Sequence, residues 1–422
     1  MKIKNWSHVF FNGKIFNYLL VLLGFFLCIS VFISDLIIFS ILILWLIDAN
    51  WKRKWKKIKS NNFSIAIIAF FTFYLLGLFW GDFNLDTWKW ISKQSLLLII
   101  PVIISSEIKK KFISLAIISF LLGMFINSII SIGDFLDFWN ISYHHYPNEN
   151  VAIGFLDHFD HSVFLAFASI IIISSLLKLE NTIKINSLYI TVLLLFLISL
   201  FLSHGRAGQY VFLILLSLFF VVKFYKNYTY LILSFLLLST GIALTYSSSD
   251  IFQKRSNQLL KEAINFYNLL SYSSTNTEDN TVTDTAIGDR LTYIINYSRI
   301  ANENLLFGCG TGNSLKEYNK FENKIFPNVL ARPPHNNYLF ILVEVGLFGL
   351  LLWLNIFIQL FITFFKHDKL DFLKLAFPLM FLIICFTDEY LVRHDPTLFF
   401  CFFTSLFCVN HKISSKDLKL LY

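Results

Sequence analysis

A histidine and two arginines lie beside apolar segments of this chain, where ionisable side chains are rarely found without a partner or a role. His335 follows a Pro-Pro pair in RPPHNNYLFILVEVGLFGLLLW, immediately before an apolar helix that either of the two following asparagines could cap. Arg206 lies in the polar segment SHGRAGQY between two apolar runs, and Arg290 lies in GDRLTYI. Imidazole groups exchange protons near neutral pH, and guanidinium groups match phosphate oxygens geometrically. These residue types could therefore activate a hydroxyl and bind a diphosphate.

Each of these residues also has a simpler interpretation. A histidine beside a helix start is commonly a capping or packing residue, and a single arginine near a membrane commonly anchors a lipid headgroup or forms a salt bridge. The functional interpretation depends on several such residues sharing one side of the membrane. Further arginines predicted on that side are Arg255, Arg299, Arg332 and Arg393.

The composition excludes a soluble globular domain. Of 422 residues, 56% are hydrophobic and only 15% are charged. Apolar runs long enough to cross about 30 Å of hydrocarbon recur along the chain, which predicts an all-α polytopic membrane protein with about twelve transmembrane helices. The predicted helices are 15–33, 36–48, 64–80, 90–106, 112–133, 162–177, 187–202, 209–222, 229–246, 345–365, 372–387 and 396–410.

The distribution of lysine and arginine predicts the orientation. Twenty-two lysines and arginines lie in or beside the loops on one side of the membrane, six of them in WKRKWKKIKS at 51–60. The short loops on the opposite side carry only Lys89, Lys93, Arg206 and Arg393. The positive-inside rule then places both termini in the cytoplasm. The predicted organisation is a first helical region at 1–246, a long outer loop with two amphipathic helices at 247–344, and a second helical region with a cytoplasmic tail at 345–422. Because the basic residues form short clusters between apolar runs, the net charge of +8 does not indicate nucleic-acid binding.

Other motifs give weaker signals. Asp157, His158, Asp160 and His161 have a spacing that a metal site can use, but a polar loop before a helix explains them equally well. The sequence contains no DxD motif and no Walker A motif, and GCGTGN follows a predicted helix and lacks the lysine of a nucleotide-binding loop, which predicts a turn. Lys93 and Glu344 alone do not form the ladder of buried charges typical of ion-coupled transporters.

Three segments resemble motifs of the O-antigen ligase and polymerase superfamily. HNNYLFILVEVGLFGLLLWL is similar to its HN-x-Y-L…E-x-G-x-x-G-L signature, and SHGRAGQYVFLILL is similar to its S-R-(G/A)-x-x-(L/V) element with the arginine one residue later than usual. GDRLTYIINYSRIANENLLFGCGTGN resembles the R-x-x-x-(W/Y)…N-P-x-x-G-x-G element, with Glu303 and Asn304 where Asn-Pro is common. The motifs cover about 60 residues, and the order of helices and the long outer loop agree with the family over most of the chain.

This resemblance implies a glycosyltransferase of the bacterial inner membrane. It would move a glycan from undecaprenyl diphosphate to lipid A-core oligosaccharide on the periplasmic face, in contact with membrane lipid and without nucleic acid, metal or other cofactor. His335 would be the catalytic base, and Arg206 and Arg290 would bind the diphosphate. The residues expected to bind other parts of the substrates are Arg255, Arg332, Asn336 and Arg393, and those expected to support the site are Glu344 and Tyr338.

Three alternatives remain open at the level of sequence. A polymerase of the same superfamily would join repeat units to one another on the lipid carrier, and a protein O-oligosaccharyltransferase would use the same chemistry on a protein. A polysaccharide flippase or transporter would move its substrate without forming a bond. A single displacement by the acceptor hydroxyl predicts inversion at the anomeric carbon for the enzymes.

Overall fold

The computed structural model describes residues 13–48, 50–139, 141, 152, 154–176, 182–248, 286–321, 330–365 and 371–409, with four single positions between 253 and 264. This described part is helical and contains no β-strand. Its helices are α1 (Lys14–Phe26), α2 (Val31–Ile47), α3 (Trp51–Lys59), α4 (Asn62–Leu76), α5 (Leu85–Ser95), α6 (Ile99–Ser105), α7 (Lys110–Phe135), α8 (His158–Leu176), α9 (Ile183–Leu202), α10 (Arg206–Phe224), α11 (Tyr228–Ser248), α12 (Ala286–Glu303), α13 (Ser314–Lys320), α14 (Asn337–Phe365), α15 (Phe372–Ile384) and α16 (His394–Val409).

The helices confirm the predicted all-α membrane fold but not the predicted number of spans. Within the described ranges, six helices are long and apolar enough to cross a membrane, and α2 with α3 would form a seventh if the bent pair is one span. Four more apolar helices have only 10–17 residues, fewer than the roughly 20 needed to cross the hydrocarbon at 1.5 Å per residue. Twelve spans and their orientation therefore remain predictions.

Several predicted boundaries are wrong for local reasons. The break between the first two helices lies near Ser30, whose hydroxyl accepts a hydrogen bond from the Ile33 N–H and so caps α2. The basic segment predicted as a loop at 51–60 contains helix α3. The helix predicted at 90–106 is divided into α5 and α6 by the 3-10 turn Leu96–Leu98. Arg255 lies outside the described residues, and of the amphipathic helix predicted around it only Gln253, Asn257, Lys261 and Ile264 are described, each as helical.

Aromatic side chains pack around the central helix α8. Phe164 of α8 stacks on Phe399 of α16 at 4.0 Å, and Phe167 lies 4.7 Å from Phe377 of α15 and 5.0 Å from Phe403. In a bilayer such close packing replaces the exclusion of water as the main source of helix association. The packing fixes α8 against α15 and α16, and thereby fixes the first turn of α8, where polar side chains begin.

Helix α14 is broken in its first half. It begins at Asn337, eight residues before the helix predicted at 345–365, so that predicted start is wrong. The predicted cap is confirmed, because the side chain of Asn336 accepts a hydrogen bond from the Leu339 N–H. Gly346 has φ 71° and ψ −169°, and the segment from Leu305 to Gly310 runs alongside this break. The Cys309 N–H donates to the Val343 carbonyl, and the Leu347 N–H donates to the Leu305 carbonyl, both at 2.8 Å. GCGTGN is thus part of a loop that satisfies the backbone groups freed by the break.

Glu344 anchors this loop from inside the broken helix. Its buried carboxylate accepts hydrogen bonds from the backbone N–H groups of Gly312 and Ser314 and lies 3.4 Å from the Tyr74 hydroxyl of α4. Ser314 begins α13, so the carboxylate also faces the N-terminus of that helix. These contacts support the structural role predicted for Glu344.

We expect Gly308→Ala to destabilise the protein by at least about 1–3 kcal/mol because Gly308 has a positive φ of 71° and an added Cβ would lie 2.6 Å from the Glu344 backbone. Thermal unfolding of the purified protein in detergent measures this loss. Gly241→Ala in α11 is the control, since its Cβ would meet nothing within 4 Å. Equal unfolding temperatures for the two variants would contradict the close backbone contact.

Candidate functional site

His335 lies two residues before the N-terminus of α14 and has a strained backbone conformation. Its φ is 48°, a value that residues other than glycine rarely adopt, and its N–H donates to Glu389 Oε1 at 2.6 Å. The ring Nδ1 lies 3.1 Å from Asp388 Oδ1, and the side chain remains 28% exposed. With Nδ1–H donating to this carboxylate, the neutral ring keeps a lone pair on Nε2. The arrangement suits a base that accepts a proton at Nε2.

The acidic pair Asp388 and Glu389 holds this histidine in two different ways. Burial alone would raise the pKa of Asp388, but hydrogen bonds from His335 and Glu389 and the charge of Arg393 hold that pKa well below its usual range. Burial and the adjacent Asp388 carboxylate raise the pKa of Glu389 well above its usual range. Asp388 is therefore the ionised partner of the imidazole, and Glu389 retains its proton.

Arg393 joins this acidic pair to the first turn of α8. Its guanidinium lies 3.2 Å from Asp388, 2.8 Å from Asp157 and 3.2 Å from Asp160. Burial alone would raise the pKa of Asp157, but His158 and Arg393 together lower it to about 2. Both terminal nitrogens of Arg393 are thus paired with acidic side chains, two of which come from a segment more than 200 residues earlier in the chain.

Arg290 reaches the same turn of α8 from helix α12. Its guanidinium carbon lies 6.0 Å from the ring centroid of Phe159, and that of Arg393 lies 5.4 Å from the same ring. Within the described residues, the half-buried Arg290 guanidinium contacts no carboxylate. Unlike Arg393, Arg290 therefore has hydrogen-bonding capacity left for an anionic ligand.

Arg206 is brought to α8 by two glycines. It is the first residue of α10, and a Cβ at the preceding Gly205 would lie 2.5 Å from the His158 carbonyl oxygen. A Cβ at Gly208 would overlap the backbone of Ser162. Without side chains at these two positions, the start of α10 packs directly against the start of α8. Arg206 is thereby placed beside the turn that Arg290 and Arg393 contact.

Two tyrosines of α12 hold the chain that leads to His335. The Tyr293 hydroxyl donates to the Leu330 carbonyl and the Tyr297 hydroxyl donates to the Arg332 carbonyl, both at 2.8 Å. The Tyr293 ring also lies 5.9 Å from the His335 ring, and burial raises the pKa of Tyr293 to about 12. Because Tyr293 follows Arg290 by almost one helical turn, both side chains lie on the same face of α12.

The other predicted residues divide into exposed and structural positions. The Arg332 side chain is exposed, and Asn336 caps α14 while its amide donates to the Phe386 carbonyl at 3.3 Å. Tyr338 donates to the Leu382 carbonyl at 2.7 Å and stacks on Phe386, which is a packing role. Arg299 is exposed on α12.

The sequence did not predict a role for the acidic residues Asp388 and Glu389 of the site. Asp388 and Glu389 stand beside Arg393 between two apolar helices, and paired acids in such a place are a signal that could have been used. Asp157 and Asp160 were considered as metal ligands, but they bind Arg393 instead. His161 of the same motif is buried. Its Nδ1 lies 3.0 Å from the Asn127 side-chain amide and its Nε2 lies 2.9 Å from the Ser199 hydroxyl, so it pairs with these two residues and not with Arg393.

One group of described residues has a geometry that a divalent cation could use. Ligand atoms of His335, Asp388 and Glu389 lie within 4.8 Å of one another. The positive charge of Arg393, 3.2 Å from Asp388, opposes a second cation there, and Glu389 already accepts the His335 N–H. The three groups fit a hydrogen-bonded acid–histidine cluster better than a metal centre.

The helices and this cluster define a multi-pass membrane protein with an ionic site at the ends of its helices. Residues 191–354 match the family model described as O-antigen ligase, which confirms the superfamily resemblance over less than half of the chain. The matched region contains Arg206, Arg290 and His335, whereas Asp388, Glu389 and Arg393 lie beyond it. Residues 191–354 are therefore similar to O-antigen ligases, and the apolar helices are those of a multi-pass membrane protein. No curated protein matches the chain.

We expect Asp388→Asn to lower the free energy of unfolding by about 1–3 kcal/mol because it removes an anion that faces both Arg393 and His335. Glu389→Gln should cost less, since an amide can accept the His335 N–H and donate to Asp388 as a protonated carboxyl group does. Thermal unfolding in detergent compares the two isosteric variants. A larger loss for Glu389→Gln would contradict the assigned protonation states.

The same pair predicts a dependence on pH. A folded-state pKa above the unfolded value means that Glu389 contributes stability below its ordinary pKa and that this contribution is lost as the pH rises through the raised value. Glu389→Gln cannot ionise, so its stability relative to the unmodified protein should increase as the pH is raised. A pH series of unfolding temperatures checks the direction, and an unchanged difference would argue against a protonated Glu389.

Proposed function

We propose that this protein is an O-antigen ligase-type glycosyltransferase, which transfers a glycan from undecaprenyl diphosphate to lipid A-core oligosaccharide at the periplasmic face of the inner membrane. The observation that carries the proposal is the pairing of His335 Nδ1 with Asp388, which leaves Nε2 as a proton acceptor in a partly exposed position. The match of residues 191–354 to the family model described as O-antigen ligase supports this class of reaction.

The proposed reaction is a single displacement. The acceptor hydroxyl gives its proton to His335 Nε2 while its oxygen attacks the anomeric carbon of the donor glycan. The bond from that carbon to the diphosphate oxygen breaks, and the electron pair leaves with the diphosphate. Asp388 stabilises the imidazolium that forms, as the ionised partner of Nδ1. Attack from the face opposite the leaving group inverts the anomeric configuration.

The arginines have separate roles in this proposal. Arg290 and Arg206 stabilise the negative charge that develops on the leaving diphosphate, and the absence of a carboxylate contact for Arg290 among the described residues supports its part. Arg393 positions Asp388 and the first turn of α8 through its three ion pairs. Arg332 and Asn336 lie on the chain next to His335, where they can contact the substrates.

The orientation in the membrane is part of the proposal. The predicted cytoplasmic loops carry most of the lysine and arginine, and the residues of the site lie in the opposite loops. A lipid-linked donor suits a site on that face, because the diphosphate stays at the membrane surface while the polyprenyl chain remains in the hydrocarbon.

We expect His335→Gln to lower the rate of glycan transfer by about 10²–10⁴-fold, the usual contribution of a general base. The assay supplies purified protein with an undecaprenyl-diphosphate glycan and lipid A-core, and measures joined product and remaining donor. His394→Gln is a matched control, because His394 is also 28% exposed and also binds a carboxylate through Nδ1. Comparable rates for both variants would rule out His335 as the base.

The same assay distinguishes the alternatives. A ligase joins the glycan to lipid A-core, a polymerase lengthens the glycan on its carrier when lipid A-core is withheld, and a transporter forms no new bond with either substrate. In cells, loss of a ligase leaves unmodified lipid A-core with the lipid-linked polymer still present, whereas loss of a polymerase leaves a single repeat attached.

We expect transfer to continue in excess EDTA, since His335 and the arginines supply the base and the positive charge in this proposal. The comparison needs the same preparation before and after chelation, followed by addition of Mg²⁺ or Zn²⁺ to the chelated sample. Loss of product that a divalent ion restores would assign the His335, Asp388 and Glu389 cluster to a metal and would overturn the assignment of His335 as a free base.

A further inference from the structure

Lys93 of helix α5 lies at the edge of the His335 site. The proposed reaction does not use the positive charge of this lysine. The side-chain amide of Gln94 donates to the Leu391 carbonyl at 3.3 Å, in the 3-10 turn between Glu389 and Arg393. One helical turn earlier, the Trp90 ring lies 5.2 Å from the ring of Phe340 in α14. These two contacts dock α5 beside the site, and Lys93 lies between them in the sequence.

The Lys93 ammonium has no anionic partner in the part of the chain that the structure describes. It lies 4.6 Å from the centroid of the Trp90 ring and makes neither an ion pair nor a hydrogen bond with the described residues. The side chain is half-buried, so water compensates its charge only in part. The indole N–H of Trp90 is buried and also has no acceptor among those residues. This edge of the site is therefore rich in donors and poor in acceptors.

The neighbouring charges increase this deficit of negative charge. Lys93 is close enough to Lys89 and Arg393 to be repelled by both, and Glu389 is the carboxyl group that interacts with it favourably. Glu389, however, retains its proton, because burial and Asp388 raise its pKa. The acidic groups of Asp388, Asp157 and Asp160 contact Arg393 and form no ion pair with Lys93. An additional anion beside Lys93 would consequently lower the electrostatic energy of the site.

We propose that Lys93 binds a phosphate group of a lipid substrate at the α5 edge of the site. An ammonium is a compact point charge that suits phosphate, and its position at the end of a flexible stem allows it to reach a headgroup near the membrane surface. The phosphate could belong to the donor's diphosphate or to a phosphorylated lipid acceptor, since both carry the same chemical group. The inference rests on the proposed function, because it places this phosphate next to His335.

Binding of purified lipids tests the proposal without requiring turnover. The full-length protein is reconstituted in nanodiscs of uncharged lipid, and the dissociation constants of undecaprenyl diphosphate, of lipid A and of the uncharged alcohol undecaprenol are measured by native mass spectrometry. Lys93→Gln is expected to weaken binding of at least one phosphate lipid about tenfold, the usual effect of one charge-assisted contact. Lys93→Arg should restore most of the affinity.

Lys89→Gln is the matched control for this experiment. Lys89 is on the same helix and its ammonium lies 4.9 Å from the same Trp90 ring, but its side chain is exposed. Its removal should change the dissociation constants less than about threefold. If Lys93→Gln does not fold, Lys93→Met, which keeps an aliphatic stem over Trp90, takes its place.

The three lipids separate the possible outcomes. Weaker binding of undecaprenyl diphosphate alone assigns Lys93 to the donor, and weaker binding of lipid A alone assigns it to the acceptor. Unchanged affinity for both phosphate lipids, or an equal loss for undecaprenol, would overturn the proposal. His335→Gln should bind all three lipids normally and form product about 10²–10⁴-fold more slowly than the unmodified protein. If it instead retains the unmodified rate, the proposed function fails while the binding result for Lys93 still stands.

Discussion

The ion pairs of Arg393 are the constraint on which the site depends. Charges are expensive to remove from water, and a buried pair is stable only when geometry and additional hydrogen bonds offset that cost. Here one guanidinium is shared by Asp157, Asp160 and Asp388, so it ties the start of α8 to the turn between α15 and α16. The position of Asp388 then fixes the imidazole of His335. An imidazole on one part of the chain is thus oriented by charges contributed from two others.

Arg393 and Arg290 differ in how many of their hydrogen-bond donors are already paired with carboxyl groups. Both terminal nitrogens of Arg393 contact carboxyl groups, whereas Arg290 contacts the face of Phe159 and no carboxylate in the described structure. A guanidinium with satisfied partners organises a site, and one without them can bind a ligand. The uncharged Phe159 ring lies 6.0 Å from the guanidinium carbon of Arg290 and 5.4 Å from that of Arg393. The carboxyl groups around Arg393 distinguish it from Arg290, which is the arginine proposed to bind the diphosphate.

The broken helix α14 connects the membrane interior to this site. Glu344 and Gly346 hold the loop that contains Gly308 and Gly310, and this loop directly follows α12. Helix α12 in turn carries Arg290 and the tyrosines that hold the chain before His335. The loop in the helix break therefore sets where α12 ends, and α12 carries both Arg290 and Tyr293, whose ring lies 5.9 Å from the His335 ring. A carboxylate remote from the proposed chemistry supports it through backbone contacts.

The sequence by itself determined the features that depend on neighbouring residues. The length and spacing of apolar runs established an all-α membrane fold, and local motifs selected His335, Arg206 and Arg290 as candidates. The two asparagines after His335 indicated a helix cap, but the apolar pattern placed the helix itself at 345–365, eight residues too late. Tertiary structure alone decided that Asp157 and Asp160 bind an arginine rather than a metal, that Asp388 orients His335, and that α14 is broken around Glu344. These features require contacts between residues as far apart as Arg393 and Asp157, 236 positions from each other, which local pattern cannot specify. Helix packing determines which charged side chains form ion pairs in a membrane protein, and that packing is a property of the folded chain.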